Sequence, residues 1–472
     1  MIVAIYIHSL NNLEFLALTE KKVRKQWDTP LFLENEGVLN GKASIAQNLK
    51  KIVSELDLKP EDTIAVFSGA CPFFDRDLSF EILAEHERYI SHFTYSENIP
   101  SGFVPDFISV EYIHLLPDSC TDVREFSYKN INDFDIDIFF KHPDLRQWRL
   151  DFSAKTNRSA FMVREILKIK ENLSFDTLEE FIKNHSSLIS PFPSYFEIEL
   201  TTETPLTPCF TPLSLMKQNH TTLNLTLVHK LITQIQDSGS GMEVAISFAG
   251  LGDPLYYQDF DQALTWALRT DSIHTVFIET FGTSITEAKI QSWAKLPGSQ
   301  KIHIIIKLST MIRERYIDLY GKDMFQSVMD GIDLLQQMDH PFHLFIEVLK
   351  IKDNEDEIDK FYEQFEPTKF QIILQKFNTY IHLLPERRVS DLTPLVRDFC
   401  WHLARDFYLT SGGNISICKQ DPFGKISMDF RNISIVDYWK NSRKFFECSI
   451  QGRHGDIPLP CLSCDEWYTF NG

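Results

Sequence analysis

Six short apolar runs, at residues 195–200, 244–249, 274–279, 302–308, 342–348 and 370–375, are separated by segments of helical periodicity. No other feature of the 472 residues restricts the fold as much. Strands joined through helices cannot close as hairpins, and repeated strand–helix units build a parallel sheet or barrel. The clearest intervening helix is 325–335, with Phe325, Val328, Met329, Ile332 and Leu335 along one stripe. Folds of this kind bind ligands at the C-terminal ends of their strands. Those ends fall at residues 201–212, 250–254, 280–283 and 376–378.

The chain on either side has a different texture. Residues 2–8 and 63–67 read as buried strands. Residues 42–56 carry helical spacing at Ile45, Leu49, Ile52, Val53 and Leu56, and a further helix spans 78–89 with Asp75 as its cap. This α/β pattern runs to a Pro- and Ser-rich boundary at 189–194. Glu85, His86 and Glu87 read as an exposed helix face, and residues 353–357 as solvated charges. From about residue 391 the chain is rich in Cys, Gly, Asn and Trp, with little apolar periodicity. A small module of that composition is expected to need a metal or another staple. The expected division is therefore 1–188, 189–390 and 391–472.

The formal charge of −19 argues against an electrostatic grip on nucleic acid or anionic lipid, because no basic field exists to displace counterions. The first ten residues lack a basic lead, and no apolar run reaches the roughly 18 residues of a membrane span. The expectation is a cytoplasmic protein, in which the eight cysteines are not disulfides. HExxH, Walker and nucleophile-elbow motifs are missing, so the sequence designates no catalytic residue.

Cys71, Cys120, Cys209 and Cys448 stand singly, but Cys400, Cys418, Cys461 and Cys464 make a pattern. A CxxC turn can direct two thiolates at one centre, and two further cysteines complete four-thiolate ligation of an iron–sulfur cluster or a zinc ion. Cys448 is an alternative for one ligand.

The segments Phe399-Cys400-Trp401-His402-Leu403 and Gly412-Gly413-Asn414-Ile415-Ser416-Ile417-Cys418-Lys419-Gln420-Asp421, with the ending Cys461-Leu462-Ser463-Cys464-Asp465-Glu466-Trp467-Tyr468-Thr469-Phe470-Asn471, resemble the SPASM/Twitch module of radical-SAM enzymes. The ending and Gln375-Lys376-Phe377-Asn378 are similar to the spirochete SPASM-domain family. The resemblance implies a radical-SAM-like partial (β/α)6 barrel over 189–390. It also implies a C-terminal module holding one 4Fe–4S cluster on Cys400, Cys418, Cys461 and Cys464. In that family the loop after the first barrel strand carries CxxxCxxC. Here those positions are Thr204, Pro208 and Thr211, and Cys209 is out of register. Reductive cleavage of S-adenosylmethionine is therefore not expected. The cofactor frame is better kept. Gly250-Leu251-Gly252-Asp253-Pro254 resembles the family's Gly-Gly-Glu-Pro segment, Glu279 ends the third strand, and Lys307 and Ser309 end the fourth. The resemblance implies that these residues can bind S-adenosylmethionine.

Residues 68–75 (Ser68-Gly69-Ala70-Cys71-Pro72-Phe73-Phe74-Asp75) and 98–103 resemble nucleotidyltransferases of the cytidylyltransferase type. Ala70 stands where those enzymes place a metal-binding Asp. Ser9-Leu10-Asn11-Asn12 replaces their Gly-rich phosphate loop. The fold expected from all this is α/β throughout: a degenerate nucleotidyltransferase-like domain, a partial barrel and a cysteine module. The activity expected is binding or electron transfer, with a peptide, a protein or a nucleotide-sugar as ligand. The alternatives are an active radical-SAM-type enzyme and a zinc-stabilised scaffold.

Overall fold

The computed structural model describes residues 2–10, 13–215, 220–239, 241–424, 426–458 and 461–468. Asn11, Asn12 and the terminal Thr469, Phe470 and Asn471 lie outside the described residues. The chain divides into two compact units, Met1–Ile189 and Ser190–Gly472.

The first unit is built on six strands: β1 (Ile2–His8), β2 (Leu31–Leu33), β3 (Thr63–Ser68), β4 (Phe93–Ser96), β5 (Asp106–Ser109) and β6 (Ile136–Phe139). Their order is β2-β1-β3-β5-β4-β6. Only β5 runs against its neighbours. The helix Ile45–Leu56 begins where Ser44 and Gln47 form a capping box. It buries Leu49, Ile52 and Val53 in one cluster with Tyr6, Ile64 and Val66. Asp75 caps the helix Arg76–Tyr89, accepting from the Leu78 amide at 3.0 Å. His86 departs from the exposed position expected of it. It lies one turn beyond Ile82 on the sheet-facing side, is 3% exposed, and its Nδ1 is 2.8 Å from Thr94 Oγ1 on β4.

The second unit contains all six expected strands, each within two residues of its apolar run: β7 (Tyr195–Ile198), β8 (Val244–Phe248), β9 (Ile273–Thr280), β10 (Ile302–Lys307), β11 (His343–Lys350) and β12 (Phe370–Lys376). They pair in chain order and all in parallel. Parity divides the strands. Val276, Ile278, Ile304, Ile306, Leu344 and Ile346 are buried on one face. Phe277, Glu279, Ile305, Lys307, Phe345 and Glu347 line a cavity on the other.

The expected boundary between 390 and 391 falls inside this unit. Residues beyond it extend the same sheet from β7. β13 (Asp406–Leu409) pairs with β7 in parallel, and β14 (Asn414–Ser416) and β15 (Ser427–Asp429) add antiparallel. The region is not poor in core. Phe407, Leu409, Ile415, Phe430, Ile435 and Phe446 are buried. Phe407 packs on Phe196 of β7 at 5.2 Å between centroids, and Trp439 donates to the Ser190 carbonyl at 3.0 Å. Phe407, Leu409 and Ile415 occupy strands of three or four residues, too short to display a period, while Ile435 and Phe446 lie on the helix Ile435–Ile450. Among the described residues no helix is long and apolar enough to cross a membrane.

Candidate ligand cavity and cysteine cluster

The cavity of the second unit has a volume of about 590 Å³. Phe277, Phe281, Ile305, Phe345 and Leu349 supply apolar wall, and Glu197, Glu279, Glu347, Lys307, Lys376 and Lys419 bring charge into it. Lys307 Nζ lies 2.9 Å from Glu279 Oε2, and Ser247 donates to Glu279 Oε1 at 2.8 Å. Glu347 sits directly opposite Lys307 in the β10–β11 register. Lys419, just past Cys418, reaches to 3.9 Å from Glu197 of β7.

Burial and pairing compete at each of these groups. Burial alone would raise Glu279, but Lys307 and Lys419 outweigh it and hold the carboxyl below its usual range. Burial would depress Lys307, and Glu279 and Glu347 push it up instead. At Glu197 burial wins over Lys419 and pushes the carboxyl up to about 7. Glu347 is likewise raised by burial, with Lys307 opposing. His303 also lines the cavity, and burial holds its imidazole down near 4.

Of the residues expected at a cofactor site, Gly250, Glu279, Lys307 and Ser309 line this cavity; Gly252, Asp253 and Pro254 are not among its lining residues. Gly250 has φ +127, and a Cβ there would lie 2.6 Å from Glu199 Cγ. A Cβ on Gly252 would lie 2.5 Å from the Thr201 carbonyl. The glycines therefore seat the loop against the end of β7. Asp253 is fully buried. It accepts from the Leu255 amide, from Thr280 Oγ1 at 2.8 Å and from the Phe281 amide at 3.0 Å. It acts as the cap of a strand-to-helix turn, tying the ends of β8 and β9. The Ser309 hydroxyl accepts from the Leu349 amide at 3.3 Å.

Sequence reasoning missed Glu197, Glu199, Glu347 and Lys419. Glu199 accepts from the Leu251 amide at 2.9 Å and from Ser411 Oγ at 2.6 Å, joining the Gly250 loop to the turn after β13. The available signal was two glutamates inside the apolar run 195–200, since a buried carboxylate requires partners.

The loop 204–211 is anchored by its backbone. The Thr207 and Cys209 amides donate to the carbonyls of Tyr320 and Leu319, at 3.0 and 2.9 Å. Phe210 meets Tyr320 edge-on at 5.1 Å and turns toward the cavity with Thr211.

Cys400, Cys461 and Cys464 are half-buried and Cys418 is buried. Burial raises all four thiols, and they oppose one another's ionisation: Cys400 is acted on by Cys464 and Cys461, Cys418 by Cys400 and Cys464, Cys461 by Cys464. Segments 60 residues apart in sequence therefore lie within electrostatic reach of each other. Cys461–Ser463 forms a short helical turn, and Arg397 donates to the Cys461 carbonyl at 2.7 Å. Lys376, at the end of β12, donates to the Asp465 carbonyl at 3.0 Å and pairs with Glu466 at 2.7 Å. Among the described residues, no group of three or more His, Cys, Asp or Glu is arranged to hold a metal ion. The donor chemistry nonetheless suits a thiophilic group. Gln420, beside Cys418 and 4% exposed, has no partner at either amide atom.

In the first unit Ala70 is buried. A cavity of about 260 Å³ at the ends of β1 and β3 is lined by His8, Ser68, Ser101, Arg124 and Lys155 among others. Lys155 donates to Ser68 Oγ at 3.2 Å, while Arg124 is taken by Asp106 at 2.5 Å.

No protein-family model matches the sequence. An uncharacterized protein of Treponema pallidum (strain Nichols) is 25% identical over 370 residues, spanning 75% of this chain and 99% of its own length. Among solved structures, BtrN in complex with AdoMet and 2-DOIA is similar over 59% of this chain and 98% of its own, with TM-score 0.40 and 18% identity. Streptococcus suis SuiB bound to precursor peptide SuiA is similar over 72% of this chain and 82% of its own, with TM-score 0.44 and 14% identity.

Proposed function

We propose that this chain is an iron–sulfur protein of radical-SAM/SPASM type. In this reading Cys400, Cys418, Cys461 and Cys464 hold one 4Fe–4S cluster beside a partial barrel whose cavity binds a small ligand or a peptide. What supports the reading is the four-cysteine pattern of the sequence, together with Cys400 lying within electrostatic reach of Cys418, Cys461 and Cys464. When bound, the cluster would exchange single electrons. The chain's own residues do the remaining work. Lys376 and Arg397 hold the CxxC segment by its backbone. Glu197 can hold or release a proton near neutral pH inside the cavity. Gly250, Glu279 and Lys307 face the position where S-adenosylmethionine or another ligand would bind.

The role favoured is binding or electron transfer without standard cleavage of S-adenosylmethionine, because Thr204, Pro208 and Thr211 offer no thiolate to a barrel cluster. The first unit is read as a nucleotidyltransferase-like domain without the metal-binding Asp, since Ala70 occupies that position.

The deciding experiment is anaerobic purification with iron, sulfide and zinc quantitation, beside a Cys461→Ser, Cys464→Ser variant. About four irons and four sulfides per chain, lost in the variant, is the expected result. About eight of each would establish a second cluster and turn the reading to an active radical-SAM enzyme. Zinc alone, at about one per chain, would replace it by a zinc-stabilised scaffold.

A further inference from the structure

We propose that the cavity of the second unit selects an organic cation, an ammonium group on an apolar body, received by Glu347 and Glu197 between aromatic walls. The inference rests on the ligand-cavity reading given above and not on the cluster.

The charges of the cavity do not balance. Glu197, Glu279 and Glu347 face Lys307 and Lys419. The third lysine, Lys376, is taken by Glu466 at 2.7 Å. When all three carboxylates are ionised, one negative charge is left over. Glu279 is satisfied by Lys307 and Ser247. The Glu347 carboxylate has no hydrogen bond or close ion pair among the described residues, although it lines the cavity opposite Lys307. Glu197 is 8% exposed, and among the described residues its carboxylate makes no hydrogen bond and has one ion pair, with Lys419 at 3.9 Å. Glu197 is buried and Glu347 half-buried; leaving such carboxylates without donors is costly, and a built site is one reason for a chain to do so.

The walls point the same way. Phe277, Phe345, Tyr380 and Tyr195, the last already carrying the Arg405 guanidinium 5.1 Å from its ring centroid, line the same cavity. Aromatic faces beside carboxylates attract organic cations, and more strongly in a dry site. An anion entering the same space would meet three carboxylates against two ammoniums. His303 adds no positive charge, because burial keeps it neutral at neutral pH. The groups facing Glu197 are Lys419 after β14, Glu279 on β9, Lys307 on β10 and Asp406 on β13. Asp406 is closed by Arg405 and His402, each at 2.5 Å.

The test uses the full chain and three probes of matched body: 2-phenylethylammonium, 3-phenylpropionate and 2-phenylethanol. Binding is measured by calorimetry above neutral pH, where Glu197 is ionised. The ammonium probe is expected to bind at least about tenfold more tightly than either other probe. That preference should shrink to about threefold or less in Glu347→Gln, which keeps shape and removes charge. Glu197→Gln provides a second variant should the first fold poorly, with circular dichroism as the check on both. Tighter binding of the carboxylate probe, equal binding of the alcohol, absence of ammonium binding at millimolar concentration, or a preference unchanged in both folded variants would each overturn the proposal. Iron and sulfide measured on the same preparation separate it from the cluster reading. Ammonium preference without iron sinks only the cluster, and iron without preference sinks only this inference.

Discussion

Glu197 gives the clearest prediction at the level of a single residue. Its carboxyl is raised by burial to about 7, against 4.5 for an ordinary glutamate. Between about pH 4.5 and 7 the folded protein keeps a proton that the unfolded chain has released. Its contribution to stability is therefore full below the unfolded pKa and declines as pH rises through that window. Glu197→Gln should flatten this decline by on the order of 1–3 kcal/mol across the window. Urea unfolding of both proteins at the two ends of the window measures it. Glu347 is raised in the same direction but is present in both proteins, so the difference isolates Glu197. Parallel pH profiles would show that the group is ionised throughout. The sequence made Glu279 and Lys307 visible through the resemblance of the third and fourth strand ends to a known cofactor frame. It hid Glu347 and Glu197 because strand parity separates two faces without saying which one borders a cavity. Lys419 was hidden for another reason: its contact with Glu197 crosses from the segment after β14 to β7, a long-range juxtaposition that no local pattern encodes.

At the scale of elements, the loop between β8 and the following short helix is the junction most sensitive to change. Gly250→Ala would place a side chain at φ +127 and press it against Glu199, whose carboxylate binds the Leu251 amide and Ser411. The expected cost is about 2–4 kcal/mol, from backbone strain plus the loosened buried carboxylate. Thermal or urea unfolding checks this beside Gly455→Ala, where an added Cβ meets nothing within 4 Å and the expected change is within about 0.5 kcal/mol. Equal effects would remove the argument for close packing at Gly250. The six parallel strands were legible because each lies in an apolar run of six or seven residues. The strands β13, β14 and β15 were not, since four or three residues cannot establish a period. Their place is decided by an available edge of β7 and by Phe407 meeting Phe196. The Gly-rich segment was legible as a turn, while the inward role of Asp253 was set by the donors Thr280 and Phe281 on a different strand end.

At the scale of the molecule, the two units have separate cores, and all four clustered cysteines belong to Ser190–Gly472. A group that binds these thiols in the folded state and less well in the unfolded chain stabilises only the unit that folds around them. Unfolding of the full chain should therefore resolve two transitions, of which one responds to metal. Anaerobic loading with iron and sulfide, or with zinc, should raise the transition of the second unit and leave that of the first unchanged. The shift should grow with ligand concentration, reaching about 2.7 kcal/mol at a hundredfold excess over the dissociation constant. Cys464→Ser should abolish the response, and Cys448→Ser, on the helix Ile435–Ile450, should preserve it. Differential scanning calorimetry of the full chain, read beside an isolated 190–472 fragment, assigns the transitions. The tail makes the prediction demanding, because Lys376 and Arg397 hold residues 461–466 by contacts that do not involve a thiol. If those contacts alone order the tail, metal will change neither transition, and the cysteines act as buried thiols in a segment fixed by its lysine and arginine. If metal raises the second transition, the same contacts serve to bring the CxxC turn to Cys400 and Cys418 before any ligand arrives, which lowers the ordering cost of binding.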